Sequence, residues 1–97
     1  MDAILRKSTR KDKRYMVQLQ ADQGTRTIHF GSPSHDNFTM HKDPARRNRY
    51  LARHAKNEDW NDYTTAGFWS RWVLWEEPYM LDAIKRLKGK GINLSIR

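Results

Sequence analysis

The segment TAGFWSRWVLW, Thr65–Trp75, crowds Phe68, Trp69, Trp72, Val73 and Trp75 into one short stretch. Phe68, Trp72 and Trp75 recur at the i, i+4, i+7 positions of a helix, with Trp69 and Val73 beside them. Rings of this size need to be buried. The arc is too wide for a surface helix, so this helix is expected to form the centre of the core. Thr64 or Thr65 supplies its N-cap, and Glu76, Glu77 and Pro78 end it. A chain of 97 residues has material for one such core and not for two. The aromatic block also argues against wholesale disorder, despite a mean hydropathy of -1.01 and 31% charged residues.

The remaining elements arrange themselves around that helix. Tyr15, Val17 and Leu19 alternate with Met16, Gln18 and Gln20, the period of a half-buried strand. Thr25–Gly31 repeats the pattern with Ile28 and Phe30 on one side and Thr27 and His29 on the other. ADQG, Ala21–Gly24, joins the two as a hairpin turn. Ser32–Lys42 reads as a loop. Asp43-Pro44 then starts a helix, as an N-cap Asp followed by Pro at the first helical position, and the helix runs to about Lys56. Its thin apolar side is Leu51, Ala52 and Ala55, next to Asn48. A third helix, Tyr79–Lys88, turns Met80, Ala83, Ile84 and Leu87 inward and stops at Gly89 and Gly91. Ile92, Leu94 and Ile96 alternate as a final strand joining the hairpin. The expected fold class is therefore α+β: a ββαααβ order, with a small antiparallel or mixed sheet and helices on one face. Residues 1–14 read as a basic arm outside a single domain of residues 15–97.

Charge sets the functional question. The net charge is +8, and it is unevenly spread. Residues 1–14 carry six Lys or Arg against two acids, and residues 41–56 six against one, while residues 57–78 carry five acids against Arg71 alone. Such a chain calls for an acidic partner, or else folds its acidic segment back on its basic one. Nothing approaches the length of a membrane-spanning helix. Met1–Arg14 lacks the apolar run of a secretory signal. The chain has no cysteine, which excludes disulfides and thiolate metal sites and suits a reducing compartment. Nucleophile-elbow, phosphate-loop and dinucleotide-binding motifs are absent from the sequence. The adjacent Glu76 and Glu77 point in different directions on any regular element, which makes them a poor acid–base pair. The chain is expected to be non-catalytic, with no cofactor.

Four stretches, TIHFG (Thr27–Gly31), FTMHKD (Phe38–Asp43), RYLARHAKNEDW (Arg49–Trp60) and TAGFWSRWVLW, together resemble a family of small basic proteins encoded by large nucleocytoplasmic DNA viruses of eukaryotes. The resemblance spans roughly Tyr15–Ile96, and its most specific part is Ala66–Trp75. It brings no established activity and no site residue. It implies a viral protein made in a eukaryotic cell, located in the virion and in the host cytoplasm or nucleus during infection.

The candidate binding residues follow from the charge pattern. Arg46, Arg49, Arg53 and Lys56 form one stripe on the first helix, flanked by Arg47, Tyr50 and His54. They suit phosphates or carboxylates. The bland alternative is a solvated face paired with Glu58, Asp59 and Asp62. Arg6, Lys7, Arg10, Lys11, Lys13 and Arg14 of the arm would follow a groove or a neighbouring subunit. Trp60, in a polar loop, and Tyr50 are the candidate exposed aromatics. Arg71 is expected to stack on rings or pair with a carboxylate. His29, His35, His41 and His54, with Asp36 and Asp43, surround a ββα unit but show no metal-ligand spacing. Three functions are thus in view. The first is a structural virion component that contacts acidic capsid or core subunits. The second is a sequence-nonspecific nucleic-acid binder that coats or condenses the genome. The third is a small one-metal nuclease.

Overall fold

A computed structural model of the chain describes residues 1–21 and 24–97. Four strands form one mixed sheet: β1 (Asp2–Lys7), β2 (Tyr15–Ala21), β3 (Gly24–Phe30) and β4 (Asn93–Ile96). Their order across the sheet is β3-β2-β1-β4. The β1–β2 and β2–β3 pairs are antiparallel, and β4 runs parallel to β1. Between β3 and β4 come α1 (Phe38–His41), α2 (Pro44–His54), α3 (Ala66–Trp69), a π-helical segment (Ser70–Trp75) and α4 (Met80–Gly89). The class is α+β, as the patterning indicates, with a fourth strand that the patterning did not reveal.

That strand corrects the reading of the N-terminus. Residues 2–7 are not a free arm but an inner strand, hydrogen-bonded on both sides. The physical reason is the two-residue period of the sheet. Ala3 and Leu5 are each only 1% exposed and point into the core, while Ile4 and Arg6 lie on the other face. Charge along DAILRK hides this alternation, because Asp2, Arg6 and Lys7 outnumber the two inward side chains. β4 also pairs with β1, Ala3 opposite Leu94, instead of joining the hairpin directly. Both ends of this pairing are tied. The Met1 ammonium donates to the Gly91 carbonyl at 2.7 Å, and Arg97 N donates to the Leu5 carbonyl at 2.9 Å. The more charged half of the supposed arm forms the β1–β2 connection, closed by Ser8 N donating to the Arg14 carbonyl.

The hairpin closes at Ala21 opposite Gly24, where Gly24 takes a φ of 121°. The turn expected at Ala21–Gly24 falls on Asp22 and Gln23, outside the described residues. Val17, Leu19, Ile28 and Phe30 point from β2 and β3 into the same core as Ala3 and Leu5. The helical layer meets them with Phe68, Trp69, Trp72, Val73 and Leu74, and α4 adds Leu87. Thr65 caps α3 by accepting from Phe68 N. After Trp69 the helix widens, and Glu76 N donates to the Arg71 carbonyl five residues back at 2.8 Å. The wide turn brings Trp72, Val73 and Leu74 into the core together. Trp69 is fully buried, whereas Trp75, expected in the core, is only partly buried at its flank.

The indole N–H of Trp69 donates to the Tyr63 carbonyl at 2.8 Å, and that of Trp72 to the Trp60 carbonyl at 2.9 Å. The two bonds fasten the polar 57–65 connection onto the core. They also satisfy the one polar group each ring carries inward.

Leu5→Ala separates a strand from an arm. As a core strand residue, Leu5 should cost about 2–5 kcal/mol of stability when truncated. Denaturant unfolding should place Lys7→Ala, at the exposed strand end, within about 0.5 kcal/mol of the parent.

Candidate functional site: a basic cleft beside helix α2

Helix α2 begins as its sequence indicates. Asp43 accepts from Ala45 N at 3.0 Å, and Pro44 occupies the first turn. Just before it, α1 is capped by the buried Asn37, which accepts from Thr39 N, and ends at Lys42 in the left-handed region, φ 55°. The turn between the helices is held by His41, whose Nδ1 accepts from Asp43 N at 2.9 Å.

The side of α2 that faces the protein differs from expectation. Leu51 is half-buried and Ala52 and Ala55 are exposed, whereas Tyr50 is 8% exposed and is the buried residue of this helix. Its ring stacks on Trp75 at 4.1 Å with an interplanar angle of 2°, and on His54 at 4.2 Å. Burial raises the pKa of its hydroxyl above the usual tyrosine value. Tyr50 is therefore a packing residue and not an exposed aromatic. Trp60 is half-buried, with the Arg71 guanidinium 4.1 Å from its ring centre.

Arg47 also leaves the stripe. It reaches back to the end of the π segment, with Nη2 3.0 Å from Glu76 Oε2 and Nε donating to the Glu76 carbonyl at 3.0 Å. The same Oε2 accepts from Arg71 at 3.1 Å, and Arg71 stacks between Trp60 and Trp72. Arg71 thus does both things expected of it. Two guanidiniums sharing one largely buried carboxylate join α2 to the π segment.

What is left on α2 is a row of unpaired cations. Arg46, Arg49, Arg53 and Lys56 are exposed, and none makes an ion pair or side-chain hydrogen bond among the described residues. Lys56 lies just beyond the helix, which ends at His54. The acidic residues that might have neutralised the row make no ion pair with it among the described residues. Glu58 approaches His54 Nδ1 at 4.0 Å, Asp59 accepts from Asn61 N, and Asp62 accepts from Thr64. The Asp62 bonds from Thr64 also hold its carboxyl below the usual range.

The basic residues of the N-terminal segment divide the same way. Arg6 donates to Gln18 Oε1 at 3.1 Å on the outer face of the sheet. Arg10 pairs with Asp12 at 2.6 Å, both exposed, and lowers the Asp12 pKa; such a pair contributes little to stability. Arg14 donates to the carbonyls of Ser32, Pro33 and His35, and so fixes that loop. Lys7 and Lys11 are exposed. Lys13 stands at the edge of a cleft.

That cleft, about 670 Å³, lies between α2 and the 32–37 loop. Arg46, Arg49, Arg53 and His54 form one wall, while Lys13, Ser32, His35 and Asp36 form the other. The floor is Gly31, Leu74 and Trp75 with Ala66, Gly67 and Ser70 from the start of the helix. The Glu58 carboxylate lies against Gly67 so closely that any side chain there would overlap it. His35 is oriented by Ser32 Oγ at 2.8 Å. The loop half of this cleft escaped sequence reading. SPSHDN carries no periodicity, and only the Arg14 contacts place it opposite the arginine row.

The four histidines do not converge. His29 bonds Ser8 Oγ at 2.8 Å on the sheet, His35 lies in the loop, His41 at the helix junction and His54 on Tyr50. Among the described residues no group of three or more His, Cys, Asp or Glu is placed to hold a metal ion. No described helix is long and apolar enough to cross a membrane.

A family model matches residues 3–54, just over half of the chain. The chain belongs to the family of unknown function DUF5754. The matched region runs from inside β1 to the last residue of α2, so it includes most of β1, the β1–β2 connection and Arg46, Arg49 and Arg53 but not Lys56. The aromatic helix and the cleft floor it supplies lie beyond it. No curated protein and no solved structure gives a significant match to the chain.

The His41 junction makes the cleft wall sensitive to acid. Burial and the nearby Arg46 charge hold its pKa below the usual histidine value, against the opposing pull of Asp43 and Asp36. Neutral His41 is also the form that accepts from Asp43 N. Its contribution to stability is complete above the unfolded-state value of about 6.5 and is lost as pH falls through the lower folded value. Chemical denaturation between about pH 7.5 and pH 5 should show stability falling. A His41→Gln variant, which cannot gain that proton, should show a shallower fall.

Proposed function

We propose that this protein is a non-catalytic binding component of a large DNA virus, carried in the particle as a minor capsid or core protein, where it holds an acidic partner surface. The observation that carries the reading is the exposed row Arg46, Arg49, Arg53 and Lys56, which makes no ion pair among the described residues. Exposed cations that the fold leaves without carboxylates retain their full capacity for a charge-assisted partner. The row lies on a helix anchored by Tyr50 and Arg47, so it is presented on a rigid support. The viral setting rests on the sequence resemblance and on the density of positive charge.

Genome coating is the competing reading, and it draws on the same residues. Adjacent row positions rise about 4.5 to 6 Å along the helix, a spacing that also suits phosphates. The mixed charge beside the row favours a protein partner. Asp36 and Glu58 line the same cleft; a phosphate backbone meets them with a charge on every unit, whereas a peptide meets them with like charge only at its acidic side chains and also brings N–H donors.

The test compares the parent protein with the Arg46→Ala, Arg49→Ala, Arg53→Ala triple variant. Both are titrated with an immobilised acidic peptide and with a short DNA duplex, at about 50 and 200 mM salt. The triple variant should fold normally, lose most of its peptide binding and fail to co-purify with particles. Equal peptide binding by parent and triple variant would overturn the proposal. DNA binding that is tighter than peptide binding and falls steeply with salt would move the function to the genome.

A further inference from the structure

We infer that the cleft between α2 and the 32–37 loop captures an extended segment of a partner polypeptide in which acidic residues alternate with small apolar ones. The inference rests on the acidic-partner reading and adds to it a place and an occupant.

Charge lies on both sides of the cleft. Arg46, Arg49 and Arg53 make one wall cationic, while Lys13 on the other stands beside Asp12 and Asp36, so an acidic chain lying along the cleft is held chiefly by the arginine wall, with Lys13 as a single opposing cation. The spacing fits an extended backbone. Arg49 and Arg53 rise about 6 Å apart along the helix, close to the roughly 6.6 Å between alternate residues of a strand. Side chains at alternate positions point the same way. Acidic residues directed at the arginine wall therefore leave the intervening residues directed away from it, toward the floor.

The floor suits small or apolar side chains. It consists of Gly31, Ala66 and the sides of Leu74 and Trp75, with the polar Ser70 and with Gly67 covered by the Glu58 carboxylate. The carboxylates lining the cleft distinguish a peptide from a nucleic acid. Asp12, Asp36 and Glu58 line the cleft as carboxylates, which accept hydrogen bonds and donate none when ionised. A peptide backbone brings one N–H donor per residue to meet them, whereas a phosphodiester backbone brings only acceptors and more negative charge. A cleft of about 670 Å³ also lies within the usual range of ligand sites. A DNA duplex would have to lie across its rim.

The test uses the full chain and a fluorescent synthetic peptide of alternating Glu and Ala, measured by anisotropy. Ala66 is exposed and lines the floor, so Ala66→Trp fills the cleft without changing any charge or cutting into the core. Lys13→Ala removes the cation opposite the row. Each variant should weaken peptide binding by about tenfold or more, a change of about 1.4 kcal/mol, with an unchanged thermal midpoint. A block-sequence peptide of the same composition, Glu residues first and Ala residues after, should bind the parent less tightly than the alternating one.

If Ala66→Trp and Lys13→Ala both bind the peptide like the parent while the triple arginine variant does not, the cleft assignment is wrong and the open-surface reading stands. If the triple variant also binds like the parent, both readings fail. If single-stranded DNA displaces the peptide from the parent and binds more tightly than it, and Ala66→Trp abolishes that too, the occupant is a nucleic acid and the peptide assignment is overturned.

Discussion

Burial of the π segment against the sheet is the constraint on which the other parts depend. Trp72, Val73 and Leu74 enter the core together because the helix widens there. The same turn leaves Trp75 at the edge as a shelf for Tyr50 and Arg71 among rings beside Glu76. Through those contacts a helix with one buried residue of its own is held in place. Without the shelf and the Glu76 carboxylate, α2 would have little to rest on, and the cleft would have one wall.

The electrostatics follow a consistent division. Cations that maintain the fold are paired: Arg47 and Arg71 on Glu76, Arg86 on Glu77, and Arg14 on three carbonyls. Glu76, with a side chain only 11% exposed, is satisfied by both guanidiniums and by their fixed geometry, as a buried carboxylate requires. Among the described residues, the cations without an ion pair or side-chain hydrogen bond include Arg46, Arg49, Arg53 and Lys56 along α2 and just beyond it, Lys7, Lys11 and Lys13 by the β1–β2 connection, and Arg26, Lys85 and Lys88 elsewhere on the surface. The α2 group is set apart by its regular spacing on one helix. The four histidines are dispersed over the sheet, loop, junction and helix.

Much of the architecture was legible in short stretches of sequence. The α2 start at Asp43-Pro44, the Thr65 cap, the β2–β3 pairing and the inward face of α4 each depend on residues a few positions apart. Their geometry is set by the helical or two-residue repeat. The row Arg46, Arg49 and Arg53 was readable for the same reason. Tyr50 is buried and Trp60 half-buried, although both have polar neighbours in sequence, because those neighbours say nothing about a ring's distant partner. For Tyr50 that partner is Trp75, and for Trp60 it is Arg71.

The sequence by itself determined a basic, one-core α+β chain with an aromatic helix at its centre and a stripe of arginines on another. Local periodicity and capping require no knowledge of where the chain goes next. Only the tertiary structure decided that residues 2–7 form an inner strand, since Ala3 and Leu5 are paired with Leu19 and Val17 on one side and with the C-terminal Leu94 and Ile96 on the other. It also decided which cations are sequestered and which stay available, and that Lys13 and the 32–37 loop stand opposite the arginine row. Those outcomes depend on contacts between residues far apart in the chain, whose pairing is settled by the packing of the whole core.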